Sequence, residues 1–295
     1  MKQLAIIGPT ASGKSDLAIK TAIDIDAYIL SIDSLSIYKE IDIVSAKPTK
    51  DELDAVLHFG IDEIYPDEHF DVDIFISLYK KTFQKAKQDG KNLIIVGGTS
   101  FYLKMLLDGL SEAPDIPQDL YIKTIQKLKN LDECYQLLYD VDKDYMKKIS
   151  PNDRYRIEKA LLIYEATNTP PSIYFKEHPP KPVIENIDIY NIEIDRKILR
   201  DRIAKRTNMM YEMGLIDEVC YLESKYGRKP NSMGAIGIVE TLEYLDAKVT
   251  KDQMLQNIST HTAQLAKRQQ TFNKNQFKQN NVISHPFQKE SIDVR

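Results

Sequence analysis

The stretch Gln3-Leu4-Ala5-Ile6-Ile7, followed at once by Gly8-Pro9-Thr10-Ala11-Ser12-Gly13-Lys14-Ser15, decides the fold. The first five residues form a run of strand length that ends in a glycine turn. From Lys14 to Ala22 the apolar residues Leu17, Ala18 and Ala22 fall at helical spacing. The octet between strand and helix fits G-x-x-x-x-G-K-[ST] in the context its mechanism requires. Its glycines let the backbone curl until several N–H groups converge on one anion. Lys14 adds a fixed cation, the Ser15 hydroxyl is a candidate Mg²⁺ ligand, and the helix N-terminus adds its partial positive charge. A glycine-rich turn that merely joins strand to helix leaves Lys14 without a purpose. Residues 8–15 are therefore the candidate phosphate-binding residues, with Ser15 the metal candidate.

Further strand candidates lie outward from this loop at Tyr28–Ile32, Leu93–Val96, Ile187–Ile194 and Val282–Ser284. Their apolar runs are continuous, as expected of parallel strands buried on both faces. Helical spacing recurs over 74–88, 196–213, 215–226, 235–245 and 251–272. The class is α/β: a P-loop NTPase-like parallel sheet flanked by helices. After Leu110 the texture changes. The segment Ala113-Pro-Asp-Ile-Pro117 forms a boundary, helical patterns follow at about 118–129, 131–140, 143–149 and 153–167, and 168–182 holds five prolines. Such a stretch is excluded from helix interiors and central strands. The expected organisation is a core of 1–112 and 183–295, interrupted by an all-helical insertion domain at 113–182.

Composition narrows the class of function. The chain has 295 residues, 42% of them hydrophobic and 28% charged, which describes a globular protein and excludes a disordered one. No apolar run approaches the ~18–20 residues of a membrane span, and no signal peptide is visible, so a cytoplasmic protein without a membrane partner is expected. Two cysteines, Cys134 and Cys220, make neither a disulfide framework nor a metal site alone. The net charge of −4 conceals local asymmetry. Nine acids and no Lys or Arg lie between Asp51 and Asp73, whereas Arg196–Arg206 carries six bases against one acid. Four bases and no acid lie between Gln264 and Gln279. A basic face for nucleic acid and a set of ordinary solvated helix faces both fit this pattern.

A phosphate loop does not name a reaction. In nucleoside triphosphate hydrolysis or phosphoryl transfer a second strand ends in an acid that serves the magnesium. Here Leu93–Val96 runs into Gly97-Gly98-Thr99, and the acid stands instead at Asp33, after Tyr28–Ile32. A carboxylate at the C-terminal edge of a parallel sheet faces the ligand crevice. It can hold magnesium through water or act as a general base.

Five blocks in order, GPTASGKS, Asp33–Pro48, Gly97–Leu110, Pro151–Leu161 and Gln264–Phe272, resemble the bacterial tRNA dimethylallyltransferases over nearly the whole chain. The resemblance implies an enzyme, a monomer, that uses its phosphate cradle for dimethylallyl diphosphate. It implies transfer of the dimethylallyl group to the N6 amine of adenosine 37 in tRNAs reading codons that start with U, with Mg²⁺ as cofactor. It assigns Asp33 as the base, Thr99 as a donor near the bridging oxygen, Lys14 to the leaving group and Arg206 to the diphosphate. It places contacts to the tRNA anticodon stem-loop at Asp33, Ser34, Leu35, Ser36, Thr99 and Tyr121. Further contacts fall at Tyr155, Arg156, Ile157, Glu158 and Lys159, and at Gly234, Ala235, Ile236, Gly237, Ile238 and Val239. By their spacing on one helix, Arg154, Arg156 and Lys159 also suit backbone phosphates. The chain departs from the family pattern at Ile238 and Val239, which replace a tyrosine and a base, and at Ala263 and Phe272, which replace an arginine and a tryptophan. The other readings are a small-molecule kinase, an isopentenyltransferase of free adenine nucleotides, and a non-catalytic RNA-binding protein.

Overall fold

A computed structural model describes residues 1–278, 281–284 and 292. The first segment runs through β1 (Gln3–Ile7), α1 (Lys14–Asp24), β2 (Ala27–Ser31), α2 (Lys50–Ala55), β3 (His58–Phe59), α3 (Val72–Gln88), β4 (Asn92–Gly97) and α4 (Ser100–Asp108). A helical stretch follows: α5 (Gln118–Lys127), α6 (Leu131–Val141), α7 (Lys143–Met146), α8 (Arg154–Thr167) and α9 (Pro171–Glu177). The chain ends with β5 (Asp188–Glu193), α10 (Arg196–Glu212), α11 (Leu215–Tyr226), α12 (Ile238–Leu245), α13 (Lys251–Gln276) and β6 (Asn281–Ser284).

The six strands form one sheet in the order β3-β2-β4-β1-β5-β6, and every pair is parallel. Alternate residues of β1 point to opposite faces, yet Leu4, Ala5, Ile6 and Ile7 are all buried. Burial on both faces explains the unbroken apolar runs. On one face Leu4, Ile6, Ile29 and Ile94 pack against Leu17, Ala18 and Ala22 of α1. Because Ile7 pairs with Gly97 and Ser31 with Val96, the carboxyl ends of β1, β4 and β2 lie side by side. Those are the ends from which Gly8, Gly98 and Asp33 emerge.

Two compact units result: Met1–Leu106 with Ile184–Arg295, and Leu107–Val183. The second has its own core, in which Leu128, Cys134, Leu138 and Met146 meet Ile157 and Leu161 of α8.

Three differences from the sequence pattern have simple causes. The proline-rich stretch contains a helix after all, because Pro171 occupies the first turn of α9, where a missing N–H costs nothing. The helix expected from 235 starts at Ile238, since Ala235 is extended and Gly237 takes φ 99°, a value open to glycine. The short α2 has no buried residue to give it periodicity; a capping box between Thr49 and Glu52 starts it.

Candidate active site

The loop after β1 is curled by Ala11 at φ 61° and Gly13 at φ 87°, both left-handed. Alternation of this kind turns successive N–H groups toward a common centre. Ser12 is buried in the loop, and its hydroxyl has no hydrogen-bond partner among the described residues. Lys14 opens α1 but is only 9% exposed, with Nζ 3.4 Å from the Pro9 carbonyl oxygen. Burial pulls its pKa from 10.5 down to about 8; Asp33 acts against that fall and Arg206 adds to it.

Arg206 reaches this loop from α10. Its Nη1 donates to Thr10 Oγ1 at 3.2 Å and its Nη2 to the Ser45 carbonyl at 3.4 Å. Burial lowers the pKa of the guanidinium and Asp33 opposes the shift, so a cation stands desolvated near the Asp33 carboxylate. One Asp33 oxygen accepts the N–H groups of Leu35 (2.9 Å) and Ser36 (3.4 Å), which turns the chain sharply after β2. Thr99 Oγ1 accepts the Ser34 N–H at 3.3 Å, tying the loop after β4 to the loop after β2.

Two cavities converge here. The smaller, about 70 Å³, is lined by Lys14, Ser15 and Gly97. The larger, about 450 Å³, is lined by Thr99, by the apolar Tyr102, Met210 and Leu265, and by Gly234, Ala235 and Ile236. Thr10, Asp33, Ser45 and Arg206 line both. A polar cavity lined by Lys14 and Arg206 thus opens, past a carboxylate, into a partly apolar chamber.

Several contributors have no local sequence signal. Glu218 of α11 accepts the N–H groups of Asp42, Ile43 and Val44 at 2.7–2.9 Å and so fixes the turn that carries Ser45. Gln269 of α13 accepts the Thr10 N–H at 2.8 Å. His58 lines the small cavity with Nδ1 2.7 Å from the Val56 carbonyl oxygen, and burial lowers its pKa, which favours the neutral ring.

Some expected contact residues occupy other roles. Ile157 is fully buried in the core of the helical unit and presents nothing to a ligand. Ile238 is likewise fully buried, and the N–H of buried Gly237 is held by Glu240 at 2.6 Å. Ser36 is buried as well, with its N–H on Asp33. Arg154 donates to the Leu128 carbonyl at 2.9 Å, so it braces the unit's own fold. By contrast Tyr155 is 64% and Tyr121 41% exposed, and Val239 is exposed too. Lys159 lies over the Tyr155 ring at 5.6 Å, while Arg156 pairs with Asp153 at 2.6 Å.

A parallel sheet with a left-handed turn in the loop after β1, a carboxylate after β2 and a desolvated arginine from a later helix defines a P-loop-like α/β fold. The model of the IPP transferase family matches residues 36–276, and the chain belongs to that family. It is similar to the tRNA dimethylallyltransferases of Sulfurimonas denitrificans (62% identity over 98% of this chain and 97% of the relative) and Sulfurovum sp. (58%, over 96% and 94%). Among solved structures it is similar to the tRNA isopentenylpyrophosphate transferase of Bacillus halodurans, with TM-score 0.70, 28% identity, and 99% of this chain and 91% of that one covered. It is also similar to a eukaryotic dimethylallyltransferase acting on tRNA, with TM-score 0.86, 25% identity, and coverage of 96% and 74%.

Proposed function

We propose that the protein transfers the dimethylallyl group of dimethylallyl diphosphate to the N6 amine of adenosine 37 in tRNAs that read codons starting with U. The observation that carries this reading is the junction of the two cavities at Asp33, Thr10 and Arg206. The diphosphate belongs in the polar cavity and the prenyl carbons face the apolar chamber. The adenine enters that chamber from the Thr99 side, as a base flipped out of its stack.

In the reaction the C1–O bond to the diphosphate breaks and a C1–N6 bond forms, and the N6 proton passes to the Asp33 carboxylate. Negative charge accumulates on the departing diphosphate. Lys14, Arg206 and the N–H groups of the loop stabilise it more strongly in this buried site than they would in water. Thr99 carries a hydroxyl suited to the bridging oxygen, though it also holds Ser34. Ser15 is exposed at the first turn of α1 and lines the small cavity with Asp33. The described residues contain no cluster of three His, Cys, Asp or Glu side chains able to hold a metal. This donor set fits Mg²⁺, which prefers oxygen ligands and keeps phosphate oxygens and water in its shell. Ser15 would hold such an ion, which would supply neutralisation of leaving-group charge.

In the helical unit the exposed residues Tyr155, Arg156, Lys159 and Tyr121 and the half-buried Glu158 are offered to the tRNA anticodon arm. In the other unit Ser34, Leu35, Thr99, Gly234, Ala235 and Ile236 line the acceptor chamber. Val239 stands exposed nearby in sequence. No described helix is long and apolar enough to cross a membrane. The tRNA substrate supports a cytoplasmic location. The test is incubation with Mg²⁺, dimethylallyl diphosphate and unmodified tRNA, followed by mass spectrometry of the digested nucleosides. A prenylated adenosine is expected. Prenylation of free AMP or ATP alone, or ATP turnover with small metabolites and no prenyl transfer, would refute it.

A further inference from the structure

We infer that Gln269 is a positioning residue that sets the diphosphate cradle and the acceptor loop in register, an inference that rests on the prenyl-transfer reading above. Gln269 lies on α13, 259 residues from the loop it touches, and lines the larger cavity. Its carboxamide is used at both ends. Oε1 accepts the Thr10 N–H at 2.8 Å, so one backbone donor of the cradle is bound to protein and its orientation is fixed. Nε2 rests on Gly98, where a Cβ would lie only 2.5 Å away. A side chain at position 98 would force the amide to shift, and the amide packs against the backbone immediately before Thr99.

Thr10 is held from a second side by Arg206, whose guanidinium bonds its hydroxyl. The residue at the junction of the two cavities is thereby fixed by α10 through its side chain and by α13 through its backbone. Prenyl transfer requires the leaving oxygen, C1 and the incoming nitrogen to lie in line. The leaving oxygen is placed by the loop after β1, and the nitrogen by residues after β2 and β4. Gln269 touches two of these three loops. Releasing it lets the cradle shift relative to Thr99 while Lys14, Arg206, Asp33 and Thr99 all stay present.

Gln269→Ala should then lower kcat by about 10–100-fold, the loss expected for a sub-ångström to 1 Å misalignment, and change KM for dimethylallyl diphosphate by less than about threefold. Gln269→Glu keeps an oxygen for the Thr10 N–H and should recover part of kcat, while its charge weakens diphosphate binding. Gly98→Ala perturbs the same contact without touching Gln269, since the new methyl displaces Nε2. It should lower kcat in the wild-type background and add little to Gln269→Ala, the non-additivity of two lesions in one contact. Thermal melting of each variant reports folding independently. If the wild type prenylates tRNA but Gln269→Ala keeps kcat within twofold, the inference fails. It fails equally if the two substitutions combine additively, or if only melting temperature changes. If the wild type does not prenylate tRNA, the functional reading itself is lost.

Discussion

A lysine that titrates near neutrality makes diphosphate binding sensitive to pH in a range where an ordinary lysine is silent. Lys14 is buried at the mouth of α1, and its pKa in the unliganded protein is lowered to about 8. At pH 7 about nine in ten molecules carry the charge, and at pH 9 about one in eleven do. If only the ammonium form holds the leaving group, affinity for dimethylallyl diphosphate falls about tenfold between those pH values. A phosphate oxygen has its last ionisation near about 6, so the ligand contributes little above pH 7.5. The other groups lining the cavity move it little: Arg206 remains a cation, and His58 is held toward the neutral form by burial. Titration calorimetry from pH 7 to 9 in buffers of different ionisation heat should show the loss, with proton uptake on binding above pH 8. Lys14→Arg should flatten the profile because the guanidinium stays charged. The linked effect on folding has a definite sign. Between pH 8 and 10.5 the unfolded chain binds more protons at this residue than the native one, so unliganded stability rises with pH across that window. The full depression corresponds to about 3 kcal/mol, and Lys14→Met should raise the melting temperature while abolishing turnover. An affinity that changes less than twofold from pH 7 to 9, or a tenfold loss that persists in Lys14→Ala, would refute the reasoning.

Asp33→Asn keeps the shape and an acceptor for the Leu35 N–H, so single-turnover kcat should fall by about 10²–10⁴-fold as expected on losing a general base, with tRNA affinity unchanged. Recovery of the rate on raising Mg²⁺ would make Asp33 a metal-positioning group instead. Replacing Arg156 and Lys159 together with alanine should weaken tRNA binding and reduce the slope of log K against log salt by about 1–2, one for each phosphate no longer neutralised; an unchanged slope would remove this face of α8 from the interface. Arg154→Ala should leave that slope alone and cost about 1 kcal/mol of stability through the missing bond to the Leu128 carbonyl, read by denaturant unfolding. Ile157→Ala should cost about 2–5 kcal/mol as a core truncation, and a purely kinetic effect on tRNA would contradict its burial.

The local parts of this protein are determined by sequence alone. Gly8–Ser15 between Gln3–Ile7 and Lys14–Ala22 is a complete strand-loop-helix statement, because every group it needs lies within about twenty residues. Continuous apolar runs announce parallel strands, and the helical spacing after Pro117 announces a segment without a sheet. Hydrophobic periodicity reports burial directly, so Ile157 carries its core role in the pattern around it. The two-residue β3, the short α2 and α9 hidden behind its proline carry too little periodicity to be read. What only the tertiary structure decided is which distant side chains meet the loop. Arg206, Gln269 and Glu218 reach Thr10 and the turn at Asp42–Val44 across 174 to 259 residues. Gln269 and Glu218 each sit in a helix whose own sequence makes them look like any solvated polar residue, and Arg206 stands out from its basic helix only through the family resemblance. Their partners are mostly backbone N–H groups and a hydroxyl, which leave no complementary charge for a sequence to show. Packing of α10, α11 and α13 in the folded unit brings these side chains to Thr10 and to the turn at Asp42–Val44, and those contacts are decided by that packing.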